Sequence, residues 1–330
     1  MSRRLSIDEA ERGLAAGDRG VLARAITLIE SLREDDRLGA EDLVSRVLPR
    51  TGRAVRVGLS GVPGVGKSTF IEALGMHLVE SGKSVAVLAV DPSSAATGGS
   101  ILGDKTRMPR LAAEPRAFIR PSPAGGELGG VARRTREAML LCEAFGFDVV
   151  LVETVGVGQS EAVVAEMVDC FVLLALPGAG DELQGLKRGV MELVDVVAVN
   201  KADGDNLIRA KRAVRDIKAA LQYQRRRLHA WEPRVLPVSA LTGSGVVDLW
   251  ATVEEHRAAI AASGELESIR RSQTKRWLWS LVKEGVMAAF RETPEVAARL
   301  SQIEAAVEAG ALTAPRGARE LLEAFRARLK

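Results

Sequence analysis

Apolar and polar positions follow two different rhythms along this chain. In the first 50 residues apolar side chains recur at helical spacing: Val21, Leu22, Ala25, Ile26, Ile29 and Leu32 form one stripe, and Ser6-Ile7-Asp8-Glu9 has the spacing of a capping box. Between about 55 and 240 the rhythm changes to short, almost unbroken apolar runs separated by helices or loops. The runs are Val55–Leu59, Val85–Val90, Ala117–Ile119, Val149–Val152, Phe171–Leu176, Val196–Val199 and Val235–Val238. Strands apolar on both sides are buried on both faces, so the pattern predicts an α/β fold: a mostly parallel central sheet flanked by helices. Right-handed crossovers then bring the C-terminal ends of the strands to one rim, where ligands bind. A helix is expected from about Val246 to Ala262. From Gly264 the rhythm is helical again, with Thr293-Pro294 as N-cap and first-turn proline, and Trp277, Leu278, Leu281 and Val282 as an apolar face. The expected organisation is a helical N-terminal extension over 1–50, a central domain over 51–263 and a helical C-terminal arm over 264–330.

Composition adds mainly exclusions. No apolar run reaches membrane-spanning length, and the N-terminus, MSRRLSIDEAERG, has neither a signal core nor the acid-poor character of a transit peptide, so a cytoplasmic location is expected. The net charge of +3 comes with basic clusters at Arg133–Arg136, Arg225–Arg227 and Arg270–Arg276. These are far apart and lack interleaved aromatics, so each reads as a solvated helix face and no nucleic acid is expected. The 2 cysteines, Cys142 and Cys170, lie in apolar surroundings and suggest no disulfide framework. None of the 3 histidines (His77, His229, His256) stands near a cysteine in sequence, and no transition-metal ligand set is expected from one chain.

The chemistry is carried by the loops leaving the strands. Gly61, Val62, Pro63, Gly64, Val65, Gly66, Lys67, Ser68 and Thr69 read GVPGVGKST between a strand and a helix, the context that makes G-x-x-x-x-G-K-[ST] a phosphate-binding loop. Its glycines allow several N–H groups to converge on phosphate oxygens, and the helix N-terminus adds partial positive charge. Lys67 is expected to reach the β- and γ-phosphates, and Ser68 to offer a hydroxyl to Mg²⁺. Asn200-Lys201-Ala202-Asp203 follows the sixth apolar run and Ser239-Ala240-Leu241 the seventh. A carboxylate at Asp203 accepts hydrogen bonds from the ring N–H and amino group of guanine, which adenine does not offer there, so the nucleotide expected is GTP or GDP. Taken singly, NKAD is also a common helix cap; after a phosphate loop, with SAL one strand later, the base reader is the stronger reading. Asn200 is expected to brace neighbouring loops, Lys201 to lie over the base and Ser239-Ala240 to meet its carbonyl. Glu153 heads an E-x-x-G element whose Gly156 can bring an N–H to the γ-phosphate. Asp91 and Asp104 are further acids for Mg²⁺ on the same rim, although a solvated loop acid beside Lys105 is an equal reading of Asp104. Small GTPases orient the attacking water with a glutamine directly after that glycine. Here the position is Val157, and Gln159 comes two residues later, so slow unaided turnover is expected.

The strings GVPGVGKST, AVDPSS (Ala89–Ser94), GGSILGDKTRM (Gly98–Met108), IRPSPAGGELGG (Ile119–Gly130), ETVGVGQSE (Glu153–Glu161) and NKAD together resemble the SIMIBI class of P-loop GTPases, and within it the MeaB-like group associated with methylmalonyl-CoA mutase. The resemblance covers nearly the whole chain. It implies a GTPase chaperone that gates cofactor loading of an adenosylcobalamin-dependent acyl-CoA mutase, protects that mutase, and is a homodimer joined through its C-terminal arm. It also implies Lys67, Asp91, Asp104 and Glu153 as catalytic groups, with Ser68, Asp91, Asp104 and Glu153 around Mg²⁺. Switch segments are implied at about Asp91–Met108, Glu153–Gln159 and Pro177–Arg188, the last with Gln184 and Lys187 as responsive residues; by spacing alone it reads as an ordinary strand-to-helix connection. Two other readings stay open: a nickel-enzyme metallochaperone, for which Cys/His ligands are lacking, and a P-loop small-molecule kinase, for which a guanine reader has no use if ATP is the donor.

Overall fold

The computed structural model describes residues 5–31, 33–90, 107–121, 128–154, 160–178, 188–223 and 226–328. The chain divides into two compact units, 1–273 and 274–330. The first opens with three helices, α1 (Ile7–Ala15), α2 (Arg19–Glu30) and α3 (Glu34–Val47). The expected capping box starts α1: Ser6 Oγ accepts from the Glu9 N–H at 3.2 Å, and the Glu9 carboxylate accepts from the Ser6 N–H at 3.1 Å. Asp18 caps α2, whose stripe Val21, Leu22, Ala25, Ile26 and Ile29 is buried; Leu32 lies outside the described residues.

The α/β part follows as β1 (Val55–Gly61), α4 (Lys67–Glu80), β2 (Val85–Val90), α5 (Pro109–Ala113), β3 (Ala117–Arg120), α6 (Leu128–Phe145), β4 (Val149–Thr154), α7 (Ser160–Ala165), β5 (Cys170–Ala175), α8 (Arg188–Met191), β6 (Val196–Val199), α9 (Leu207–Leu221), β7 (Arg234–Pro237) and α10 (Val246–Ala262). All seven expected strands join one sheet in the order β3-β2-β4-β1-β5-β6-β7, and every neighbouring pair is parallel. The inner strands β2, β4, β5 and β6 are buried at every position, whereas the edge strand β7 is not. That is the physical content of the unbroken apolar runs.

Alternate side chains feed two separate cores. Ala86, Leu88, Val150, Val152, Phe171, Leu173, Val197 and Val199 face one way, under α6, α7 and α9, with α1–α3 packed over α6 as an added layer. Val57, Leu59, Val87, Leu151, Val172, Leu174 and Ala198 face the other way, under α4, α5 and α10. On the first face α7 comes very close to β1: a Cβ at Gly58 would stand 2.8 Å from Val164 Cγ1 and 3.0 Å from Phe171 Cδ2. At the strands' N-terminal ends a buried charge network ties the layers together. Arg56 grips Glu143 with two hydrogen bonds of 2.7 and 2.8 Å, and Asp169 receives two from Arg270 at 2.8 and 2.7 Å.

Arg270 belongs to α11 (Glu265–Glu292), within which the boundary between the units falls. The second unit continues with α12 (Pro294–Glu308) and α13 (Ala314–Arg328), which pack as a pair, and Phe325 of α13 meets Phe290 at the end of α11 edge to face with ring centres 5.4 Å apart. Thr293 and Pro294 take the expected N-cap and first-turn positions, but the Thr293 hydroxyl donates back to Ala289 O at 2.8 Å instead of capping α12. No described helix is long and apolar enough to cross a membrane.

The Gly58 contact yields a stability prediction. Gly58→Ala forces a methyl into a space already filled by Val164, Val168 and Phe171, and is expected to cost about 1–3 kcal/mol in urea unfolding.

Candidate nucleotide-binding site

Strand β1 ends in the middle of the sheet between β4 and β5, where the crossovers diverge to opposite sides. In a parallel sheet this switch point is where ligands bind, beyond the strand C-termini. The turn that follows needs glycine at two places for different reasons. A Cβ at Gly61 would stand 2.6 Å from the Leu174 carbonyl of β5, while Gly66 has φ +94° and would put a Cβ 2.9 Å from Asn200 Nδ2. Gly66 is also the N-cap of α4 and has no side chain to cap it, and among the described residues no side chain is hydrogen-bonded to the first-turn N–H groups at Lys67, Ser68 and Thr69. Pro63, Gly64 and Thr69 are exposed on the rim, while Val65 is buried and pins the loop into the core.

Lys67 is buried and its ammonium donates to the carbonyls of Gly61 (2.7 Å) and Val62 (3.2 Å). Desolvation pulls its proton affinity below that of an ordinary lysine, against the opposing charges of Glu153 and Glu161. A cation held in so dry a place gains from an anionic ligand. Beside it, Ser68 Oγ donates to Glu153 Oε1 at 3.4 Å, across 85 residues of sequence. Glu153 sits at the end of β4 opposite Leu59, and the next residue, Thr154, donates to Ser60 Oγ at 2.8 Å, locking the ends of β4 and β1 together. A hydroxyl and a carboxylate side by side are the hard oxygen donors Mg²⁺ takes.

The loops after β6 and β7 close on the same turn. Asn200, buried, donates through Nδ2 to Val65 O at 2.8 Å and accepts from the Ala240 N–H at 3.1 Å, bracing three loops at once. Lys201 has a left-handed backbone (φ +58°) and reaches over to donate to Gly64 O at 2.9 Å. Asp203 is half-buried and accepts from the Ser239 hydroxyl, whose oxygen also accepts from the Thr242 N–H. Leu241, by contrast, is 82% exposed and touches none of these groups through a hydrogen bond. Asp91, Asp104, Gly156, Gln184 and Lys187 lie outside the described residues.

Two features escape sequence reasoning. One is Glu161, whose charge acts on Lys67; its signal was present in the E-x-x-G-x-G-Q-S-E string, but no spacing rule pairs it with the phosphate loop. The other is a histidine–cysteine neighbourhood that distance along the sequence hides. Tertiary packing brings Cys170, Asp195 and His256, all buried, within 4.8 Å of one another by their ligand-type atoms. Yet Asp195 already accepts from the Phe171 N–H at 2.8 Å and from Arg227, so a divalent ion would sit against a guanidinium. Burial in turn holds the Cys170 thiol protonated, well above the usual thiol range. The trio is a structural knot under the strands' N-terminal ends. A cleft of about 910 Å³ lies at that same end, bordered by Lys218, Arg227, Trp231, Arg234 and Glu255. None of the expected nucleotide residues lines it, and a parallel sheet binds at its other rim.

Comparison with known proteins follows the same lines. Residues 22–295 match the family described as methylmalonyl Co-A mutase-associated GTPase MeaB. The chain belongs to the MeaB family. A putative GTPase of Caulobacter vibrioides is 55% identical over 97% of this chain and 98% of its own length. The methylmalonic aciduria type A homolog, mitochondrial, of Mus musculus is 48% identical over 98% of this chain and 80% of its own length. The GTPase ArgK of Escherichia coli is 46% identical over 98% of both. A crystal structure named as an LAO/AO transport system kinase matches with a TM-score of 0.78 and 38% identity over 99% of both chains. As a MeaB-family protein the chain is a GTPase of P-loop fold, and guanine nucleotide is its ligand.

Asp203 offers the test of base selection. Asp203→Ala is expected to weaken GDP binding about 10- to 100-fold, the loss of hydrogen bonds to a charged acceptor, while ADP binding stays weak. Titration calorimetry with both nucleotides measures it.

Proposed function

We propose that this GTPase is a chaperone of an adenosylcobalamin-dependent acyl-CoA mutase, methylmalonyl-CoA mutase in the first instance, gating cofactor loading and protecting the mutase from inactivation in the cytoplasm. The family match across 22–295 carries this reading, and the likeness to relatives named for methylmalonic aciduria supports it. In this reading the loop from Gly61 to Thr69 holds the phosphates, Lys67 counters their charge, and Asn200, Lys201, Asp203 and Ser239-Ala240-Leu241 hold the base. Ser68 and Glu153 stand as oxygen donors suited to Mg²⁺, with Asp91, Asp104 and the Gly156 N–H completing the γ-phosphate end. Bound there, the ion would neutralise charge on the leaving diphosphate. Gln184 and Lys187 would report the nucleotide state to the partner.

The chain is further proposed to act as a homodimer through its C-terminal arm. On α11, Leu278, Trp279, Val282, Val286 and Met287 are each 41–57% exposed, an apolar set suited to burial against a second copy. The alternative of a small-molecule kinase draws on the name of the LAO/AO structure. The guanine-type loop at Asp203 weighs against it, and transfer of labelled γ-phosphate to arginine or ornithine would establish it. A nickel metallochaperone is weaker still, because Arg227 already occupies the carboxylate of the Cys170–Asp195–His256 group.

Two outcomes are expected. Co-purification with candidate mutases should give a complex whose stability differs between GDP and a non-hydrolysable GTP analogue; equal recovery in both states would count against the chaperone reading. The isolated chain should hydrolyse GTP slowly, and the cognate mutase should accelerate it, as measured by phosphate release.

A further inference from the structure

Glu161 occupies a position that neither folding nor phosphate binding explains. Helix α7 crosses β1 where Gly58 leaves no side chain, with Val164 seated on the gap. Glu161 lies one turn earlier on the same helix face, and because α7 leads from the C-terminal end of β4 back to the start of β5, that turn lies on the rim side of Gly58. Its Oε2 is shut off from solvent and has no hydrogen-bond partner. Lys67, the cation that feels its charge, gives its hydrogen bonds to Gly61 O and Val62 O instead. Proteins seldom bury a carboxylate oxygen unpaired unless a partner arrives in another state of the site.

The GTPase reaction supplies such a partner. The residue after the E-x-x-G glycine, Val157, has no polar atom with which to hold water. We propose that Glu161 is the acceptor that orients the water attacking the γ-phosphate. The water oxygen bonds to the γ-phosphorus as the bond from that phosphorus to the β–γ bridging oxygen breaks. GDP leaves with the electron pair, and the water proton ends on inorganic phosphate. Throughout, Glu161 accepts a hydrogen bond from the water and holds its lone pair in line.

This inference rests on the assignment of the phosphate loop as the GTP site, and the test separates the two. Single-turnover GTP hydrolysis, GTP and GDP affinities and melting temperature are measured on the full chain as wild type, E161Q, E161A and E161D. Expected are a loss in hydrolysis rate on the order of 10²-fold in E161Q and E161A, affinities within about 3-fold of wild type, a smaller loss in E161D, and no fall in melting temperature, since an unpaired charge has been removed. Unchanged hydrolysis in E161Q would overturn the proposal. So would weakened GTP affinity with the saturated rate intact, which would make Glu161 a binding residue acting through Lys67. A wild-type chain that hydrolyses no GTP would overturn the site assignment itself, and this proposal with it.

Discussion

The lateral hydrogen bonding of β1 to β4 on one side and β5 on the other is the constraint on which everything else depends. Leu59 pairs with Glu153 and Gly61 with Leu174, so the turn after β1 begins with a carboxylate on one flank and the end of β5 on the other. Because all seven strands are parallel, the loops after β6 and β7 end on the same rim, and Asn200 can reach back to Val65. A slip of one residue in the β1–β4 register would send Glu153 to the opposite face of the sheet. The Ser60–Thr154 hydrogen bond, buried between the two strand ends, guards against that slip.

The opposite end of the sheet does different work. Its charges are largely buried and paired: Arg56 with Glu143, Arg270 with Asp169, Arg227 with Asp195. Removing one partner from such a pair leaves an uncompensated buried charge, so these groups fix how helices attach to the sheet more than they add net stability. At the rim the polar groups are instead left half-committed. Lys67 is lent to its own loop's carbonyls, Ser68 to Glu153 over a long 3.4 Å, and one oxygen of Glu161 to nothing.

Most of the fold was legible because its signals are local. Apolar runs announced the seven strands of the sheet, the capping box announced the start of α1, and the glycine–lysine–serine string announced a tight turn between β1 and α4. Parts of the site were legible for the same reason, since Asn200, Lys201 and Asp203 form one short segment that a single loop presents together. Leu241 stands apart from its neighbours: Ser239 and Ala240 take part in the loop network, while Leu241 is exposed on the rim.

By itself, then, the sequence determined the strand identities, most of the helices, the glycine-rich turn after β1 and the family, all of them encoded in contiguous residues. Only the tertiary structure decided that Ser68 meets Glu153, that Glu161 stands near Lys67, and that Cys170 lies beside His256 and Asp195. The reason is physical. Spacing along a chain fixes which face of a helix or strand a residue occupies, but crossover packing, here the close seat of α7 on Gly58, fixes which faces from distant segments come together.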